Sequence, residues 1–221
     1  MYGDLCPVEK LEELLNKYKQ FYLYIDDAHG MSWAGKNGSG YTLSRINLHD
    51  KMILGTSLAK GFGSCGGVFV FPNKELFEKV KLWGGPNTYS GPQQPGTVGA
   101  SIASAKIHLS DEIYELQKSL QKKIQFCNNI MQKYKLPLVS ASISPIFFID
   151  LGLTRMGYNM VARLKGEGFY TNIGIHPAVP ESFTGIRFTI TNHHNLEDIE
   201  NLAKKNCLSL TTGIKGRKSY N

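Results

Sequence analysis

The sequence predicts an α/β fold, a mostly parallel sheet layered with helices, followed by a smaller α+β part. Three observations carry that reading: short apolar β-rich runs alternate with helical periodicity in the first half, Gly- and Ser-rich loops follow the ends of those runs, and the pattern changes after about residue 110. In the first segment Leu11, Leu14, Leu15 and Tyr18 recur at helical spacing, which predicts a helix over 7–18. Residues 21–25 are aromatic and β-branched and predict a strand that stops at Asp26 and Asp27. After the loop 35–40, residues 52–55 and 67–71 predict two further short strands, and 74–82 a helix behind the Pro72-Asn73 turn. Residues 84–96 are rich in Pro and Gly and are expected to form a shaped loop without regular structure.

Helices are predicted over 97–108 and 111–134, the second opened by Ser110 in capping position with Asp111 and Glu112 in its first turn. Residues 146–149, 169–171 and 186–190 predict strands interleaved with helices at 157–165 and 196–203. The expected division is therefore 1–109, part of a larger domain, and 110–221, a small α+β domain. The basic stretch 204–218 is expected to be a frayed terminus.

Composition narrows the function classes. The chain has 221 residues, 42% hydrophobic and 19% charged, which is ordinary for a globular protein. No run approaches the roughly 18 apolar residues of a membrane span, and the N-terminus lacks a signal-peptide pattern, so a cytoplasmic location is expected. Cys6, Cys65, Cys127 and Cys207 are widely spaced, and none has a cysteine or histidine at metal-ligand distance along the chain. They read as reduced thiols, Cys65 as a buried small hydrophobe, and no metal site is expected. The net charge of +7 is spread over helices that also carry acids, a solvated face rather than a nucleic-acid surface.

Three clusters sit where a strand gives way to a loop, the usual position of a site in open α/β sheets. The first is Asp26, Asp27 and His29; an acid at a strand end also serves as a plain turn residue. The second surrounds Lys60 with Gly, Ala and Phe, from Gly55 to Gly63. A partly desolvated amine there suits Schiff-base chemistry, and an anion-binding loop lysine is the simpler alternative. The third, residues 89–95, also fits a rigid surface loop.

Taken together, Asp26, His29 and the Ser57-Leu58-Ala59-Lys60 run resemble the active-site order of fold-type I pyridoxal-phosphate (PLP) enzymes, and most closely the α-oxoamine synthase family. The matching stretches are residues 3–11, 25–30, 38–40, 57–63, 66–67, 89–90 and 186–191. The resemblance implies the C-terminal part of a fold-type I large domain followed by the small domain, and a PLP-dependent acyltransferase that joins an amino acid to an acyl-CoA with decarboxylation to a 2-amino ketone. An aminotransferase and a non-catalytic fragment are the alternatives. It implies PLP held as a Schiff base by Lys60, with Asp26 on the pyridinium nitrogen and His29 on the phenolate oxygen. Thr56, Ser57 and Ser90 are expected at the phosphate and Arg187 on the substrate carboxylate.

Two features depart from the family. Gly91 stands where relatives carry a threonine thought to reach a neighbouring subunit's phosphate, and the chain matches only the second half of such enzymes. A truncated product, half of a split enzyme or an ordered fragment is expected, with a homodimer partner or a complementing N-terminal half.

Overall fold

A computed structural model describes residues 1–141 and 143–215, apart from the side chains of Asn87 and of 208–215. The chain folds as two compact units, one spanning Cys6–Gln117 and the other joining Met1–Leu5 to the chain from Lys118 onward. The division thus falls inside a long helix rather than between residues 109 and 110, and the first five residues belong with the second unit.

The first unit begins with α1 (Val8–Lys17), β1 (Leu23–Asp26), α2 (Tyr41–Arg45), β2 (Met52–Ser57) and β3 (Gly67–Val70). Lys51 Nζ donates to the carbonyls of Leu15 and Tyr18, satisfying groups that α1 leaves open at its C-terminus. β1 and β2 are parallel, with Asp26 opposite Gly55, whereas β2 and β3 are antiparallel, with Ser57 opposite Gly67. A parallel step needs a crossover of a dozen or more residues, usually a helix. Residues 27–51 provide one through α2, while 58–66 are too short to do so, and the chain doubles back. The expected mostly parallel sheet therefore contributes one parallel pair to this unit.

Alternation along the strands buries one face only. Ile25, Met52 and Leu54 join Val8, Leu15 and Ile46 in a core, while Tyr24 and Phe69 stay 58% exposed on the other face, their rings 6.2 Å apart. The rest of the unit is α3 (Lys74–Trp83), α4 (Gly85–Tyr89), α5 (Pro95–His108) and the start of α6 (Glu112–Lys133). Asn73 caps α3 by accepting from Leu76 N at 2.9 Å. Two of these helices correct the expectation of a shaped loop without regular structure over 84–96. Pro86 and Pro95 lie in the first turns of α4 and α5, where a residue without an N–H costs nothing and its fixed φ suits the helix.

In the second unit β4 (Ile146–Gly152), β5 (Asn172–Gly174) and β6 (Thr184–Thr189) form an antiparallel sheet in the order β4-β6-β5. Its core joins Phe147 and Phe188, stacked at 5.3 Å, to Ile124, Cys127 and Met131 of α6, to Met160 and Leu164 of α7 (Thr154–Gly166), and to Ile199 and Leu202 of α8 (Leu196–Lys215). The other face of β4 is covered by the N-terminal segment. Tyr2 meets Phe148 edge-on at 4.8 Å, and Ser144 Oγ donates to Gly3 O at 3.0 Å.

The strand expected over 169–171 lies instead at β5. Gly168, at φ 88°, ends α7, and Phe169 N donates back to Leu164 O at 2.8 Å, so that stretch closes a helix. The stretch expected to fray is helical as far as Lys215, and 216–218 lie outside the described residues. Among the described residues no helix is long and apolar enough to cross a membrane.

Candidate active site

β1 and β2 end side by side, and their registered neighbours decide what faces what. Asp26 lies opposite Gly55, so Asp26, Gly55 and Ser57 project from one face of the pair, and Ile25, Leu54 and Thr56 from the other. Asp26 is exposed, and its Oδ1 accepts from Ala28 N at 2.9 Å, a turn that fixes the carboxylate at the strand end. His29 follows in that turn with its side chain exposed, and its carbonyl accepts from Trp33 Nε1 at 2.5 Å.

Asp27 points the opposite way and is 8% exposed. Its Oδ2 accepts from Thr42 N at 2.8 Å, at the start of α2. Burial pushes its carboxyl up, Asp26 adds to the rise, and the hydrogen bonds from Thr42 and Tyr41 oppose it. A Cβ at Gly30 or Gly40 would collide with the Asp27 carboxylate. Glycine at both places lets the loop 30–40 close over this buried acid.

The second strand leads into the Lys60 loop. Ser57 Oγ accepts from Ala59 N at 3.2 Å and shapes its first turn. Lys60 is exposed, which corrects the expectation of a desolvated amine: the Gly, Ala and Phe around it leave space rather than packing over it. The Thr56 hydroxyl donates to Asp27 O, with Met31 Sδ also within 3.4 Å, so of the two hydroxyls it is Ser57 that shares a face with Asp26. Cys65 is exposed rather than buried. Ser90 is exposed at the end of α4, and Gln93 Nε2 donates to Cys65 O at 3.4 Å, tying the segment after Ser90 to the Lys60 loop.

Arg187 stands in the second unit, on β6 between Phe148 and Asn172, with Nε donating to Met1 O at 3.2 Å. The structure therefore brings Asp26, His29, Ser57 and Lys60 to the ends of two adjacent strands and leaves Arg187 on a separate sheet. Among the described residues no group of His, Cys, Asp and Glu is arranged to hold a metal ion.

Sequence reasoning passed over the polar residues of α5. His108 is buried, 2.9 Å from Ser32 Oγ through Nε2 and 2.8 Å from Ser104 O through Nδ1. A signal was present in the spacing of Ser101, Ser104 and His108 along one helix face, but the loops they touch are distant in sequence.

An acid and a lysine at the carboxyl ends of adjacent parallel strands define an open α/β protein with its site at the strand ends. The chain belongs to the aminotransferase class I and II family, whose model it matches over residues 1–205. It is 27% identical to 8-amino-7-oxononanoate synthase of Marinomonas sp. across all of this chain and 54% of that protein. It is 26% identical to serine palmitoyltransferase of Sphingobacterium spiritivorum, over 93% of this chain and 50% of that one. In structure it is similar to a serine palmitoyltransferase variant from S. paucimobilis solved with a bound PLP–myriocin aldimine, with a TM-score of 0.86 and 22% identity, covering 97% of this chain and 53% of that one. The chain thus spans about half the length of the curated relatives it matches.

Proposed function

We propose that this chain is the C-terminal half of a cytoplasmic PLP-dependent acyltransferase that condenses an amino acid with an acyl-CoA, with loss of carbon dioxide, to a 2-amino ketone. The observation that carries the reading is the exposed Asp26 carboxylate beside the exposed Lys60 loop, at the ends of paired parallel strands. That donor set fits the cofactor: a primary amine for its aldehyde, a carboxylate for its ring nitrogen and the Ser57 hydroxyl for its phosphate. When bound, PLP supplies an electron sink for a substrate carbanion.

Each side chain then has a physical task. Asp26, held by Ala28 N, keeps a negative charge where a protonated ring nitrogen needs one. Lys60, on its long flexible stem, binds the cofactor and afterwards carries the substrate proton. His29 donates to the phenolate oxygen, and Thr56, Ser57 and Ser90 serve the phosphate, with Ser57 best placed. Arg187 grips the amino-acid carboxylate; its bond to Met1 O uses Nε and keeps the two terminal nitrogens for a bidentate contact.

The partner in this reading is a second copy of this chain in a homodimer, or a complementing N-terminal half. Support comes from β1, an edge strand. Leu23 N donates to Lys51 O and Asp27 N to Gly55 O, so the N–H groups of Tyr24 and Asp26 point away from β2, along the open edge of the sheet. Parallel sheets are ordinarily covered on both faces, whereas this one leaves Tyr24 and Phe69 exposed.

Absorbance with added PLP tests the site. The chain is expected to develop a visible band, and borohydride reduction to trap the cofactor on Lys60, while Lys60→Ala shows neither. A band that survives in Lys60→Ala would refute the assignment. With the complementing half present, turnover that needs acyl-CoA supports the acyltransferase, and turnover with a 2-oxo acid in its place would make the protein an aminotransferase.

A further inference from the structure

The Lys60 loop closes on itself. Leu58 N donates to Gly66 O at 2.9 Å, Ser64 N to Leu58 O at 2.7 Å and Gly63 N to Lys60 O at 3.0 Å. These bonds set the shape of the loop but not its place, which is set by α5.

Ser101, Ser104 and His108 are spaced so that they share one face of that helix. The Ser104 hydroxyl donates to Phe62 O at 2.5 Å. The Ser64 hydroxyl donates to Thr97 O at 3.0 Å and lies 2.8 Å from Ser101 Oγ. His108 Nδ1 faces Ser104 O, which can only accept, so Nδ1 carries the proton and Nε2 accepts from the Ser32 hydroxyl. The His108 ring also packs on Phe62, with centroids 4.8 Å apart.

His108 thus touches two loops: the one that carries Lys60, through Phe62, and the one that follows Asp26, through Ser32. Both loops are shaped for the approach. A Cβ at Gly61 would come within 2.9 Å of Met31 O, and one at Gly38 within 2.6 Å of His108 Cδ2 and 2.9 Å of Ser32 Cα. Ser32 itself adopts φ 78°.

We infer that Ser101, Ser104 and His108 are positioning residues, a polar clamp on one face of α5 that sets the Lys60 loop in place against the loop following Asp26. The chemistry explains the residue types. Loop carbonyls such as Phe62 O lose water where the helix lies on them and need donors, which apolar side chains would not provide. A lysine on a glycine-rich loop has little else to fix its origin, and placement within about an ångström governs how well a reacting group performs.

This inference rests on the cofactor role of Lys60, but hydrogen exchange tests it without cofactor. Ser104→Ala is expected to speed exchange of the Gly63 and Ser64 amides about tenfold while those of β1 and β2 keep their rates, with Ser104→Thr restoring protection. Ser101→Ala removes a single partly buried hydroxyl and is expected to act in the same direction, which keeps the test alive if Ser104→Ala fails to fold. The second readout is the PLP concentration needed for half of the Lys60-dependent band, expected to rise about tenfold in Ser104→Ala and to return in Ser104→Thr. Unchanged loop exchange in both alanine variants, or acceleration equal to that of β1 and β2, overturns the clamp. If the unsubstituted chain gives no band, the cofactor reading falls, and the exchange rates still decide for or against the clamp.

Discussion

A carboxylate removed from water needs hydrogen bonds in its place, and Asp27 receives one from Thr42 N at the start of α2. Its neighbour Asp26 is exposed, so two adjacent acids at one strand end serve different ends: the buried one holds the loop and the other faces solvent. Burial raises the Asp27 carboxyl in the folded chain above its unfolded value, so the folded state takes up that proton at higher pH than the unfolded state. Asp27 therefore favours the fold most when protonated, and its contribution declines as pH rises from the ordinary carboxylate range through the raised value. In urea titrations the stability of the native chain relative to Asp27→Asn is expected to fall across that window. A difference that stays flat or rises with pH would contradict the assignment. The Cys127 thiol is likewise pushed up to about 12 by burial.

At the scale of elements, close packing is written in glycines. Gly185 of β6 lies where a Cβ would collide with the backbone oxygen of Ile149 and with the Phe148 ring, beside the bulge between Asp150 and Gly152. Neither neighbour is a flexible side-chain tip. Gly185→Ala is expected to destabilise the second unit by about 2 to 3 kcal/mol, seen as a lower urea midpoint. A change within about 0.5 kcal/mol would show that the sheet yields more easily than its geometry implies. The helices were well marked in the sequence because their apolar periodicity is local: α1, α3 and α6 lie within a residue or so of their expected bounds. Elements that departed from expectation did so for nonlocal or capping reasons. Proline at helix starts made helices of a stretch read as loop, and the Gly168 turn moved β5 toward the C-terminus.

At the scale of the whole molecule, the first unit presents much apolar surface. Leu82 is 71%, Trp83 82% and Tyr89 90% exposed, and α3 has no buried residue at all. An amphipathic helix in that state, together with the open edge of β1, favours association. Light scattering on the purified chain is expected to give a mass above that of a single chain, and Leu82→Lys combined with Trp83→Lys to lower it without changing the far-ultraviolet circular dichroism. Single-chain mass in the unsubstituted protein would mean that this surface has no partner among copies of itself.

The sequence alone determined the α/β class, the helices α1, α3 and α6 and the residues of the strand-end clusters, because hydrophobic period and turn chemistry are carried by near neighbours in the chain and the Asp26-to-Lys60 pattern by residue order along it. Only the tertiary structure decided that Lys60 is exposed, that Ser57 rather than Thr56 shares the face of Asp26, and that Asp27 is buried. It alone also showed Ser101, Ser104 and His108 holding loops far from them in sequence. Exposure, facing and long-range hydrogen bonds depend on which segments are packed together, and that is a property of the folded chain rather than of any stretch of it.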